Sequence, residues 1–221
     1  MMPAMNRITW LAGVGVLLGC VAPALSFDLS TVDPGDPDAL RVAVEASGGT
    51  VEGSPFVVVE SGPDGNETAL LRFPDFESRV SLPLNTPASG FFVRTAVYAE
   101  SMPFGQSGGP LFGVMFGPVN DYVLGIGADK WSKLSVPFVQ SGNTVLVGED
   151  DFAEADPLAP GKWALITLSV SDGVWSVRIG DSFERSNMAE NDERNPFGRD
   201  GGLVIRIGGF RGLASLPLSV D

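Results

Sequence analysis

The sequence predicts an all-β protein, a sandwich of two antiparallel sheets, and three observations carry that expectation. Short β-branched and apolar runs recur along the chain, and glycine, proline and Asx-rich breakers separate them. Beyond residue 26 no segment sustains a helical apolar period. Strands that must each bury one face, without helices to cover them, are expected to form two layers over a shared core.

Taken in order, residues 1–26 carry Arg7 as their only charge and an unbroken apolar run from Ile8 to Ala22, the composition of an export signal. The run is shorter than the roughly 20 residues that a spanning helix needs. Two processing routes fit it. Ala24-Leu25-Ser26 sets small residues at the third and first positions before Phe27, as a secretory peptidase requires, and would release a secreted or periplasmic protein. Leu17-Leu18-Gly19-Cys20 resembles the bacterial lipobox, in which the cysteine becomes the lipid-bearing first residue, and would leave the protein anchored at Cys20. Cys20 is the sole cysteine, so the exported part has no internal disulfide and its stability must come from its core.

Residues 27–39 hold Asp28, Asp33, Asp36 and Asp38 with prolines and no period, and read as an acidic leader; the sandwich is expected over 40–221. Leu40 to Val44, Phe56 to Glu60, Ala69 to Phe73 and Val80 to Leu84 are the first short runs. Six consecutive strands follow: Phe91 to Ala99, Leu111 to Gly117, Tyr122 to Gly127, Leu134 to Val139, Thr144 to Gly148 and Trp163 to Val170. Val174 to Gly180 then pairs back across Ser171-Asp172-Gly173 as a hairpin. Residues 181–202, with Asn187, Asn191, Asp192 and Glu193, read as a long polar loop, and Leu203 to Ile207 and Ala214 to Val220 close the chain.

The loops are unequal. If each strand reverses the last, 100–110, 128–133, 149–162 and 181–202 gather on one rim, and the other end receives only short turns. Acids outnumber bases on that rim, and clustered oxygen ligands without His or Cys suit calcium; Asp129, Asp150 and Asp151 are the candidate ligands. The competing reading is a solvated acidic fringe that keeps the protein soluble. Trp131, between Lys130 and Ser132, either stacks on a sugar ring or folds back to cap the sandwich. Asp129, Lys130 and Asn191 would line a ligand site beside it. Trp163 and Trp175 fall inside strands and are expected in the core.

Composition narrows the functions. The net charge of −13 argues against nucleic acid and anionic membranes, and favours cations, neutral polymers or simple solubility, of which solubility is the commonest explanation. No histidine is present, which removes the usual zinc ligand, the usual general base and every Ser-His-Asp arrangement.

The pattern from Gly90 to Val220 resembles the concanavalin A-like jelly roll of lectins and glucanases, close to laminin G-like modules. Its carriers are Gly-Gly-Pro-Leu-Phe-Gly-Val-Met-Phe-Gly at 108–117 and Asp121-Tyr122-Val123-Leu124-Gly125-Ile126. Pro160-Gly161-Lys162-Trp163 and Gly173-Val174-Trp175-Ser176-Val177 complete them. The resemblance implies a jelly-roll sandwich that binds a polysaccharide or cell-surface glycan, often with calcium, hydrolyses one, or serves as a structural envelope element. Glu149-Asp150-Asp151-Phe152-Ala153-Glu154 matches the E-x-D-x-x-E spacing of laminarinase-type glycosidases. That match implies Glu149 as nucleophile and Glu154 as acid/base, with Asp151 between them. Asp150 departs from the pattern, which has an apolar residue there. The leading expectation is therefore a non-catalytic binding module, with the glycosidase and the structural protein as alternatives.

Overall fold

A computed structural model of the protein describes residues 27–84, 91–101, 109–116, 122–128, 134–141, 144–147, 161–171, 174–180, 183–188 and 203–216. Two antiparallel sheets form a jelly-roll sandwich, as the sequence predicts. The first sheet is built from β1 (Thr50–Glu52), β4 (Arg79–Leu84), β13 (Leu203–Gly208), β6 (Gly109–Phe116), β7 (Tyr122–Ala128), β8 (Leu134–Ser141) and β9 (Thr144–Val147), hydrogen-bonded in that order. The second runs β12 (Phe183–Met188), β11 (Val174–Ile179), β10 (Trp163–Ser171), β5 (Phe91–Ser101), β14 (Arg211–Ala214), β3 (Glu67–Phe73) and β2 (Phe56–Ser61).

Period-2 alternation decides which residues meet between the layers. In β5, Phe91, Val93, Val97 and Ala99 are buried and pack with Ile166 and Leu168 of β10 and Val177 and Ile179 of β11. Val80, Leu82, Leu203, Ile205 and Ile207 supply the opposing layer. Phe73 and Phe210 meet as tilted rings with centroids 5.2 Å apart, the arrangement that aromatic quadrupoles favour. Trp175 is buried as expected. Trp163 is not in the core: it stands half-buried on the outer face, 5.5 Å from its cross-strand partner Tyr98.

Every hydrogen-bonded neighbour is antiparallel, and in both sheets each odd-numbered strand lies beside even-numbered ones. Odd and even strands therefore run in opposite directions within each sheet. The termini of the strands fall into two sets, which decides where the connections lie.

Four further expectations, about the elements, are corrected. Residues 37–46 form a helix, α1 (Pro37–Ala46), where a short strand was expected from Leu40 to Val44. The Asp36 side chain caps it by accepting from the Asp38 and Ala39 amides at 2.9 and 3.3 Å, and Pro37 occupies the first turn, where no amide is needed. Leu40 and Val44, one turn apart, are fully buried. Gly48, at φ 78°, takes the left-handed conformation that ends the helix, and the Gly49 amide returns to the Val44 carbonyl at 2.9 Å.

The leader also belongs to the folded body. A 3-10 turn at Leu29–Thr31 buries Leu29, Val32 is buried after it, and the Gly35 amide donates to the Val57 carbonyl of β2. The polar stretch 181–202 contains β12, paired with β11 from Ile179↔Phe183 to Val174↔Met188. β14 spans Arg211–Ala214, earlier than the strand expected from Ala214 to Val220, and residues 217–220 of that expectation lie outside the described residues.

Candidate functional site

The connections that carry the candidate residues leave and enter the sandwich at defined ends. The C-terminal ends of β5, β7 and β9 share one end with the N-terminal ends of β6, β8 and β10, so the segments holding Trp131 and Glu149 to Glu154 depart from one rim, as the alternation of strands predicts. β12 changes the fourth loop. Because it adds one reversal, the chain leaves β12 and re-enters β13 at the opposite end, so Asn191 belongs to a connection anchored away from the other candidates. Asp129, Lys130, Trp131, Glu149, Asp150, Asp151, Glu154 and Asn191 themselves lie outside the described residues. Among the described residues no group of three or more His, Cys, Asp or Glu side chains is placed to hold a metal ion.

A cavity of about 430 Å³ does lie among the described residues, at the end of the second sheet opposite that rim. Three pieces of chain form it: the N-terminal turn, the β2–β3 turn, and the residues that follow β14. Phe27, Leu29, Pro63, Ala69 and Leu216 make its walls apolar, and Asp28, Ser30, Asp64, Thr68 and Ser215 add polar groups.

Local bonding fixes each piece. Asp28 Oδ1 accepts from the Ser30 amide at 2.9 Å. In the β2–β3 turn Asp64 Oδ1 accepts from the Asn66 amide at 3.0 Å and Oδ2 from Asn66 Nδ2 at 2.8 Å, while Gly65, at φ 81°, supplies the left-handed residue. Behind the cavity, Thr95 Oγ1 donates to the Ser215 carbonyl at 2.5 Å, and Ser215 Oγ accepts from the Ala96 amide at 2.8 Å. This buried pair anchors the chain as it leaves β14.

Hydrogen bonds keep both carboxylates ionised. The Ser30 backbone amide, then its hydroxyl, hold Asp28 below its ordinary pKa of 3.8. The Asn66 side chain, then its backbone amide, do the same for Asp64. Neither has a basic partner among the described residues, so the cavity presents uncompensated acceptors beside apolar walls. Sequence reading passed over Asp28 and Asp64 because acids in turns are usually just solvated. The Pro63-Asp64-Gly65-Asn66 turn signal was visible, but what it packs against was not.

A second polar group lies on the outer face of the first sheet. Arg206 of β13 donates through Nη2 to Glu52 Oε1 at 2.5 Å, and Arg79 Nη1 stands 3.7 Å from Glu52 Oε2. Burial is the largest influence on the Arg206 guanidinium and lowers its pKa; Glu52 opposes that shift and Arg79 adds to it.

No protein-family model matches the sequence, and a comparison with curated proteins finds no match. Solved structures share the sandwich loosely. Domain 4 of AbnA, a GH43 extracellular arabinanase from Geobacillus stearothermophilus in complex with arabinotriose, is 17% identical over 77% of this chain and 84% of its own, with a TM-score of 0.47. Lectin I-B4 from Griffonia simplicifolia is 10% identical over 80% of this chain and 94% of its own, with a TM-score of 0.46. The Caenorhabditis elegans galectin LEC-6 is 14% identical over 67% and 94%, with a TM-score of 0.42. At such identities and scores none of them assigns a family or a ligand to the chain.

Proposed function

We propose that the protein is an exported, non-catalytic β-sandwich module that binds a glycan, in the manner of concanavalin A-like lectin folds, and that the cavity beside the β2–β3 turn is a binding site. The carrying observation is the pairing, in one concavity, of apolar walls with ionised carboxylates and hydroxyls. A sugar presents an apolar ring face and outward hydroxyl donors, and such a surface answers both. Export is supported by the signal-like residues 1–26, in which the Ala24-Leu25-Ser26 motif directly precedes Phe27. Calcium held by Asp129, Asp150 and Asp151 remains part of the proposal, supported by the shared rim on which the C-terminal ends of β7 and β9 lie.

A panel of immobilised polysaccharides, run with the intact exported chain, tests the reading. Retention on at least one neutral glycan is expected, with the affinity reduced about tenfold or more by Asp64→Ala and by Thr68→Trp, which obstructs the cavity from an exposed position. No retention across the panel, or retention indifferent to both substitutions, would reject it.

A further inference from the structure

Outward positions of the second sheet line up across four adjacent strands. Trp163 of β10 is in register with Tyr98 of β5, Tyr98 with Leu213 of β14, and Leu213 with Arg72 of β3. Their chain neighbours Ala164, Val97, Ala99, Ala214, Leu71 and Phe73 belong to the core, so the four side chains stand together on the outer face. With strands about 4.8 Å apart, the row spans about 14 Å.

The row changes character along its length. At one end the Trp163 and Tyr98 rings are half-buried and inclined to each other at 53°. Leu213, 5% exposed, follows as an aliphatic floor. At the other end Arg72 reaches across β14 to Glu100 of β5, Nη1 to Oε1 at 2.7 Å, with side chains 26% and 35% exposed. That ion pair leaves Arg72 Nε and Nη2 and Glu100 Oε2 without partners among the described residues, and Trp163 Nε1 and Tyr98 Oη also have none. These groups are open to solvent, because the buried side-chain atom left unpartnered among the described residues is Arg206 Nε, on the other sheet. Cross-strand packing explains why the two rings touch. It does not explain a row that sets ring faces, an aliphatic floor and open hydrogen-bonding groups side by side toward solvent.

Charge selects the occupant. Arg72 and Glu100 cancel, so the row is neutral on a chain whose net charge is −13. A polyanion or a second copy of the chain is repelled at long range, and a neutral occupant is not. We propose that the row is a platform for a neutral, β-1,4-linked pyranose chain lying across the strands, with a ring stacked on Trp163 and Tyr98 and hydroxyls meeting Arg72 and Glu100. A pyranose with equatorial hydroxyls has an apolar ring face and a rim of groups that both donate and accept, and the two ends of the row answer these in turn. At roughly 5 Å per sugar, about three rings fill the row. The platform rests on the glycan reading above and adds a surface that shares no residue with the cavity.

Calorimetric titration of the protein with cellobiose, cellotriose and maltotriose tests the platform. Cellotriose should bind more tightly than cellobiose, which is too short to fill the row, and more tightly than maltotriose, whose α-linkages curve the chain away from it. Trp163→Ala should lower the cellotriose affinity about tenfold or more. Trp163→Phe, which keeps a ring face, should restore most of it, and Glu100→Gln, which keeps the shape and removes the charge, should lower it severalfold. Equal binding of maltotriose, or cellotriose binding unchanged in Trp163→Ala, overturns the platform. Binding that is lost in Asp64→Ala and unchanged in Trp163→Ala overturns the platform and upholds the glycan module in its cavity. If none of the three sugars binds while another glycan is retained, the platform alone is overturned; if no glycan is retained, both are. Should Trp163→Ala fail to fold, the Trp163 indole N–H resonance of the parent protein decides: displacement by cellotriose and not by maltotriose supports the platform, and no displacement overturns it.

Discussion

Asp64 holds the β2–β3 turn through both carboxylate oxygens, and a group that gains such bonds only on folding ties stability to pH. Its folded pKa lies below 3.8, as does that of Asp28. The contribution of each is fully present above the unfolded value and is lost as pH falls through the lower folded value. The melting temperature should therefore drop as pH is lowered past 3.8. Asp64→Asn should lower it at neutral pH and shrink the acid-dependent part of the drop; an unchanged melting profile would contradict the role given to the carboxylate. Ser215 is a second sensitive residue, because Ser215→Ala leaves the buried Ala96 amide without its side-chain acceptor. About 1–3 kcal/mol should be lost in urea unfolding. Neither residue was legible in advance: a serine after a strand and an aspartate in a turn carry no local sign of their partners, which for Ser215 lie more than a hundred residues away.

Most strands were legible because one buried face imposes period 2, and β5, β7, β10 and β11 were expected nearly as they stand. The misses share a cause. In α1 the run Leu-Arg-Val-Ala-Val contains two β-branched residues in five and reads as a strand, while its helical signals sit at the ends, in Asp36, Pro37 and Gly48. Val42, 68% exposed, shows which face the short run was hiding. β12 has the sequence Phe-Glu-Arg-Ser-Asn-Met, with no apolar alternation to reveal it, and it is an edge strand paired with β11 alone. That α1 is part of the sandwich and not a tether can be measured. Leu40→Ala should cost about 2–5 kcal/mol, the range for emptying a packed core position, whereas a residue in a detached leader would cost almost nothing.

At the scale of the whole molecule, strict alternation of strand direction sends the chain's two kinds of connection to opposite ends, and a single unforeseen strand was enough to move one of them. The fold class survived that error because it depends on many strands, and the composition of the rim did not. Asp129, Asp150 and Asp151 remain on connections that start from one end. Under the calcium proposal, calcium titrated into the protein should bind there and be lost in Asp150→Asn with Asp151→Asn; no heat at millimolar calcium would exclude the site.

Open sheets also have borders, and the sandwich treats its borders unequally. β1 is only three residues long, too short to serve as a template for a further strand. β2 is longer, is rich in valine, and leaves Val59 53% exposed beside Glu60. Pro63 and Gly62 end it abruptly. The Gly35 amide already occupies the outward Val57 carbonyl, so a neighbouring copy would have to pair beyond it, at Val59 and Ser61, and Glu60 is the residue that discourages it by setting like charges against each other. Replacing Glu60 with valine should increase precipitation on standing at high concentration, followed by light scattering, while Val59→Lys should slow any association that the parent chain shows. Along β2, then, protection against edge-to-edge pairing rests on Glu60.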